Sequence, residues 1–307
     1  MDPRKLIIPS AELVTAIDYK EAASQVFAFL DVSEVTRKDY GYRIGLFLTF
    51  IQEHGMGRNS YLEYKRYLAE RTDFGISTKN KYLITAKIFL KELNRQGSLP
   101  VDITQNIKGF TQSKKHRRNG LSEEEVAAVA EHMRQLSPTP QSTRLKALFC
   151  LLAFQGLRQV EIIRLDARDI DLANAVAMVR GKGRDDKEPV LLNPETVRAI
   201  RDYMKLNRIA DGALFKSLGN RQSDRITTMT VKREIKALLE PLGIDKCVHG
   251  FRHFYITTLL KNLSVRDVRK FSRHAGLEML VVYDDELDIR AKSAQVFECF
   301  SSLRLAS

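Results

Sequence analysis

The stretch His249–Tyr283, HGFRHFYITTLLKNLSVRDVRKFSRHAGLEMLVVY, places two histidines, an arginine and a tyrosine at spacings that decide how the rest of the chain is read. His249 and Arg252 stand three apart at the start of FRHFYITTLL, and on a helix that spacing puts both on one face. Ser264, with Asp267 at the third helical position, reads as the start of a second helix. That helix ends at His274, beside Gly276. Tyr283 lies nine residues beyond His274, behind the apolar LEMLVV and immediately before Asp284, Asp285 and Glu286. Taken singly, a histidine at a helix start reads as a cap, and a tyrosine after an apolar run reads as core. Together with two groups upstream they read as a site for chemistry on a phosphate.

The first upstream group follows residues 143–155, TRLKALFCLLAFQ, which are almost wholly apolar after the first turn and predict a central, buried helix ended by Gly156. GLRQVEIIRL comes next. Arg158 has apolar neighbours on both sides, so its guanidinium is expected to be at least half-buried. A buried guanidinium needs a partner, and a phosphate suits its planar fork. Glu161, three residues on, is placed to orient a neighbouring group.

The second group lies where the period changes. Val176, Met178 and Arg180 alternate with Ala177 and Val179, and Pro189–Leu192 forms a second short apolar run. Gly-Lys-Gly and Asp-Asp between them predict a β-hairpin with Lys182 near its tip. Lys187, on the opposite arm, is the competing lysine. Asn193-Pro194 then starts a helix, Asn as cap and Pro at the first helical position, running to about Leu206. A further helix is expected from about Thr230 to Leu239, terminated by Pro241 and Gly243.

The N-terminal third reads as helices alone. Apolar residues recur loosely from Glu12 to Leu30. Ile44, Phe47, Leu48 and Ile51 then mark one face of a helix that Gly55 terminates. A third helix is expected at Tyr61–Glu70. A fourth, capped by Ser77, runs to Arg95 with Tyr82, Ala86, Phe89 and Leu93 on one face and Lys79, Lys81, Lys87 and Lys91 among the remainder. Those lysines suit a DNA backbone or, equally, a solvated helix face. Next comes KGFTQSKKHRRNG, residues 108–120, with Lys114, Lys115, Arg117 and Arg118 and no helical periodicity: a basic connector. Ser122 and Glu125 form a capping box that opens the second domain. The expected organisation is a helical domain at 12–110, a basic linker at 111–120, and a second domain at 121–307 that is helical with a small β-sheet or hairpin.

Bulk properties agree with a polyanionic partner. Among 307 residues, Lys and Arg number 50 against 38 Asp and Glu, a formal charge of +12. A surplus of that size favours nucleic acid, because neutralising phosphates releases counterions. Cys150, Cys247 and Cys299 are far apart and form no paired motif, which argues against a disulfide framework or a zinc site. The opening residues lack a signal peptide's apolar run and no stretch is long enough for a membrane span, so a cytoplasmic protein is expected.

The ordered set Arg158, Lys182, His249-x-x-Arg252-His253, His274 and Tyr283 resembles the tyrosine recombinase (phage integrase) family, of the simple two-domain kind. The resemblance covers nearly the whole chain from about residue 12, with weaker motifs in the first domain. It implies that the first domain is a core DNA-binding domain and the second catalytic, and that Arg158 and Arg252 clamp the scissile phosphate, with His249 and His274 donating further hydrogen bonds. Tyr283 attacks phosphorus to give a 3′-phosphotyrosyl link, and Lys182 protonates the leaving 5′-oxygen. It also implies double-stranded DNA with an inverted-repeat core site as partner, and a homotetramer on two such sites. The amphipathic tail at about 292–307, carrying Val296, Phe297, Phe300 and Leu303, is then an exchange helix docked on a neighbouring subunit. Neither a metal nor a nucleotide cofactor is expected, because no carboxylate cluster accompanies the site and the covalent link conserves the bond energy. Two features depart from the family pattern: Arg273 where Gly is common, and the acidic run after Tyr283. A type IB topoisomerase, which shares the catalytic set, is the alternative.

Overall fold

The computed structural model describes residues 18–112, 120–181, 185–218, 225–273, 276 and 280. The chain divides into two compact units, Met1–Ser113 and Lys114–Ser307. The first is helical throughout its described residues: α1 (Tyr19–Phe29), α2 (Glu34–His54), α3 (Ser60–Glu70) and α4 (Ile76–Arg95). The second holds α5 (Glu123–Gln135), α6 (Pro140–Ala153) and α7 (Gln159–Ile163). A three-stranded sheet follows, made of β1 (Ile170–Asp171), β2 (Val176–Arg180) and β3 (Lys187–Leu191). Then come α8 (Pro194–Leu206), α9 (Thr228–Leu239), α10 (Val248–Asn262) and α11 (Val265–Ser272). The molecule is therefore mainly helical with a small antiparallel sheet in its second unit, as the periodicities predict.

In the first unit α4 supplies the spine. Leu83, Ala86, Phe89, Leu90 and Leu93 are buried along it, a wider face than the predicted set because Tyr82 sits only half-buried at its edge. Phe89 meets Phe27 of α1 and Phe47 of α2, with ring centroids 6.2 Å and 6.5 Å apart, while Phe47 packs edge-on against Tyr64 of α3 at 4.9 Å. Ser77 does not cap α4. The helix begins at Ile76 with Gly75 as its N-cap residue, and Ser77 lies inside the first turn. Asn80 closes the unit, its side-chain amide donating to the Phe110 carbonyl at 3.0 Å and accepting from the Phe110 N–H at 2.8 Å. A Cβ on Gly109 would stand 2.9 Å from the Asn80 side-chain oxygen, so this clasp needs a glycine there.

The second unit is built around α6, where every residue from Ala147 to Ala153 is buried. The helix starts earlier than its apolar run, because Thr139 caps it and Pro140 fills its first position. Packed against α6 is α8, whose Thr196 donates its hydroxyl to the buried Gln155 side chain at 2.7 Å. The Arg144 guanidinium joins α6 to α9 through an ion pair with Glu234, and to the segment between α8 and α9 through the Lys216 carbonyl at 2.9 Å. In the sheet, Ala177 pairs with Val190 and Val179 with Glu188; Ala177, Val179 and Val190 face the core while Met178 and Leu191 face outward. Strand β1 was not foreseen, since two residues are too few to display a period of two. Among the described residues no helix is long and apolar enough to cross a membrane.

Because Phe89 touches two other helices of the first unit at 0% exposure, Phe89→Ala is expected to cost about 3–5 kcal/mol there. Native-state hydrogen exchange should show protection lost in α1–α4 and retained in α6 and α8. Equal loss in both units would contradict the division.

Candidate active site

The turn that leaves α6 sets the site. Gly156 has φ 56°, and a Cβ on it would stand 2.2 Å from the Tyr255 ring, so both the left-handed backbone and the close approach of α10 require glycine. The chain then reverses and Arg158 becomes the N-cap residue of α7. Glu161, three residues into the turn, folds back on it: one carboxylate oxygen accepts the Arg158 backbone N–H at 2.8 Å and the other the Arg158 guanidinium at 2.7 Å. The orienting role read for Glu161 is therefore visible, and its object is Arg158.

Arg252 reaches the same turn from α10. Its side chain is 1% exposed. One terminal nitrogen donates to the Gly156 carbonyl and the other to the Ser272 carbonyl at the end of α11, both at 2.5 Å. The Ser272 carbonyl closes α11, and carbonyls at a helix C-terminus attract cations, while Gly156 lies in the turn beyond α6. Arg252 thus braces α6 and α11 as well as contributing to the lining of the pocket above it, a structural duty the sequence did not announce.

That pocket, about 300 Å³, is lined by Arg158 and its neighbours Leu157, Gln159 and Val160, by Thr228 and Lys232 of α9, and by Val248, His249 and Arg252 of α10. Three of the expected residues, Arg158, His249 and Arg252, therefore meet at one cavity, although about ninety residues of chain separate the first from the other two. His249 stands exposed in the first turn of α10. Sequence reasoning missed Thr228 and Lys232. The expected helix began two residues late, at Thr230, whereas Thr227 is the cap; with the correct start, Thr228 and Lys232 fall four apart on one face.

Glu161 carries a second cation. Arg273, at the end of α11, donates from its guanidinium to Glu161 at 3.0 Å, and both side chains are buried. Burial by itself would raise the Glu161 carboxyl, but the charges of Arg273 and Arg158 and the Arg158 backbone N–H outweigh it and hold the group below the ordinary glutamate range. The Tyr255 phenol is pushed up by burial, against the pull of Arg273 and Arg252 nearby.

Of the other expected residues, Lys182, His274 and Tyr283 lie outside the described residues, as do Lys114, Lys115, Arg117, Arg118 and the tail 292–307. Lys187, the competitor of Lys182, is bound in an ion pair with Asp169, which is itself buried. It lines a second cavity of about 420 Å³ beside the sheet, with Arg164, Arg168, Arg180 and Arg225 and the carboxylates Asp166 and Asp185. On α4, Lys79 donates to the Ala69 carbonyl at 2.8 Å, tying down the end of α3, and Lys87 and Lys91 lie close enough to Asp102 to help hold its carboxyl down against burial. Lys81 and Lys91 are exposed, Lys79 and Lys87 half-buried.

Residues 119–289 match the model of the phage integrase family. This chain belongs to that family. It is a tyrosine recombinase, 29% identical over 235 residues to a tyrosine recombinase of Synechococcus elongatus, with 72% of this chain and 71% of that protein aligned. Tyrosine recombinase XerC of Herpetosiphon aurantiacus is 28% identical over 271 residues, covering 81% and 85% of the two chains. Among solved structures, the XerH recombinase bound to a palindromic difH substrate superposes with a TM-score of 0.72 at 17% identity, covering 91% of this chain and 84% of that one. The Tn1549 transposon integrase in complex with a circular intermediate DNA gives 0.68 at 13%, covering 92% and 100%. At these identities the superpositions show a shared fold.

Glu161→Ala would leave Arg158 and the buried Arg273 without their carboxylate, and loss of one partner of a buried pair costs about 3–5 kcal/mol. Since the folded-state pKa of Glu161 is depressed, its contribution is complete above the ordinary glutamate range and is lost as pH falls through the depressed value. Urea unfolding should therefore show a large gap between wild type and variant at pH 7 that narrows in acid. A gap independent of pH would contradict the ion-pair account.

Proposed function

We propose that this recombinase cuts and rejoins double-stranded DNA at a site with inverted-repeat core sequences, through a 3′-phosphotyrosyl intermediate on Tyr283. The observation that carries the reading is the convergence of Arg158, His249 and Arg252 on one pocket. The charge on a phosphodiester's non-bridging oxygens must be met as the nucleophile adds. Cations and N–H donors fixed in advance around that position lower the barrier without reorganising at the moment of reaction. In this reading Arg158 and Arg252 supply the clamp, with His249 and His274 as further donors. Lys232 extends the positive lining of the same cavity.

Tyr283 attacks phosphorus, the bond to the 5′-oxygen breaks, and that oxygen leaves as a hydroxyl protonated by a lysine. Lys182 fits this role better than Lys187, whose ammonium is engaged by Asp169. Attack by a partner strand's 5′-hydroxyl on the phosphotyrosine reverses the chemistry and completes the exchange.

In the same reading, residues 12–110 form a core DNA-binding domain, with Lys79, Lys81, Lys87 and Lys91 on the helix nearest the backbone. Lys81 and Lys91 are the better placed, because Lys79 already holds the end of α3. The segment 111–120 follows the duplex as a basic linker, beginning just after the clasp of Asn80 on Phe110. Four protomers act on two sites, tied together by the C-terminal segment 292–307, in integration and excision or in dimer resolution. The relatives described above are recombinases and integrases, which favours strand exchange over the relaxation a type IB topoisomerase performs.

Tyr283→Phe should bind DNA and form no covalent adduct, read as the absence of a slow-migrating protein–DNA band on denaturing gels. Lys182→Ala should form adduct slowly on ordinary DNA and recover when the bridging 5′-oxygen is replaced by sulfur, a leaving group that needs no proton. Adduct from Tyr283→Phe would overturn the assignment.

Neutralising Lys114, Lys115, Arg117 and Arg118 together should lower the slope of log affinity against log salt by up to about 3–4. A slope unchanged in anisotropy titrations would remove the linker from the DNA interface.

A further inference from the structure

The end of α11 touches both arginines of the pocket through adjacent residues. The Ser272 carbonyl accepts from Arg252 at 2.5 Å. The next residue, Arg273, donates to Glu161, the carboxylate that holds Arg158. Arg273 occupies this position at a cost. Its backbone is left-handed, φ 55° and ψ 41°, a conformation suited to glycine and unfavourable for a residue with a Cβ. Its side chain is only 7% exposed. Beyond the bonds to Glu161 and to the Phe271 carbonyl at 3.1 Å, its buried Nε–H has no hydrogen-bond partner among the described residues. Backbone strain and a buried, incompletely satisfied charge would both vanish with glycine in its place. Such costs persist where the surrounding structure uses them.

We propose that Arg273 is a positioning residue for DNA cleavage: by engaging one oxygen of Glu161 it locks the carboxylate that orients Arg158. Three donors act on that carboxylate, and each constrains a different motion. The Arg158 backbone N–H and the Arg273 guanidinium share one oxygen at 2.8 Å and 3.0 Å, leaving the other directed at the Arg158 guanidinium at 2.7 Å. Without Arg273 the first oxygen keeps only a bond from within its own turn, and the carboxylate can rotate, carrying Arg158 away from the pocket. The phosphate clamp would then depend on a mobile side chain. This inference rests on the reading of the pocket as the phosphate site.

The test uses the full chain and a suicide duplex bearing a sequence selected for wild-type binding from a random pool. Covalent adduct is followed in single turnover, with affinity measured on the same duplex and thermal stability measured in parallel. Arg273→Gly suits the left-handed backbone, so it separates the guanidinium from the fold. Relief of the left-handed backbone opposes the loss of one of the two cations on Glu161. The variant is therefore expected to stay folded at the assay temperature while melting below wild type, and to bind within about twofold, since affinity comes mostly from phosphate contacts elsewhere. Its adduct should form about tenfold or more slowly, as expected when a clamping group is misplaced.

Arg273→Lys, which keeps the charge, should recover part of that rate. The pair Glu161→Gln with Arg273→Gly should be no slower than Glu161→Gln alone, because both act on one element. Wild-type or faster cleavage by Arg273→Gly overturns the proposal, as does a rate loss matched by lost affinity or by unfolding at the assay temperature. If Arg158→Ala forms adduct as fast as wild type, the phosphate-site reading itself fails and takes this proposal with it.

Discussion

A carboxylate with no exposed surface stays charged only where cations are brought to it, and Glu161 is reached by two. Much of the second unit is arranged by that requirement. Arg158 comes to Glu161 from the same tight turn, and Arg273 comes from the far end of α11. Arg252 crosses beneath them and spends its charge on carbonyls of Gly156 and Ser272, the two chain ends that must be held together for the first two contacts to form. The polar cluster is expensive to bury and is satisfied by being shared between helix termini, which supply the uncapped backbone groups it needs.

The functional consequence is an excess of positive charge at a cavity. Arg158 and Arg273 share one buried carboxylate, Arg252 is held by backbone carbonyls that carry no charge, and Lys232 adds a further cation to the lining. An anion entering the pocket completes that balance. In the proposed reading, one arrangement serves both the fold and the binding of a phosphodiester. It also explains why the turn at Gly156 tolerates no side chain: a Cβ there would displace Tyr255, and with it the approach of α10 that brings His249 and Arg252 to the cavity.

The hairpin shows the same economy on a smaller scale. Its inward face of Ala177, Val179 and Val190 packs on the core, and its outward face carries Arg180 beside Arg164, Arg168 and Arg225. Three of the local cations are already paired, Arg225 and Arg168 with Asp166 and Lys187 with Asp169. These pairs tie the start of β3 and Arg225 to the segment that precedes the sheet.

What the chain alone determined is its local structure and three of the residues that line the pocket. Apolar spacing marked Ile44, Phe47 and Ile51 as core, and Ser122, Asn193 and Ser264 announced their helices by capping chemistry that acts within a few residues. Arg158, His249 and Arg252 were recognisable because their spacings within motifs are short. The starts of α4 and α9 were misread by one or two residues, since Gly75 and Thr227 compete with equally plausible neighbours, and β1 was too short to show a period. Only the tertiary structure decided what each charged group is bonded to. Nothing in the order of residues links Arg273 to Glu161, 112 positions earlier, or sends Arg252 to two carbonyls rather than outward. Those choices follow from which helix ends the packing of α6, α10 and α11 leaves uncapped, and a buried charge takes whatever partner the packing provides.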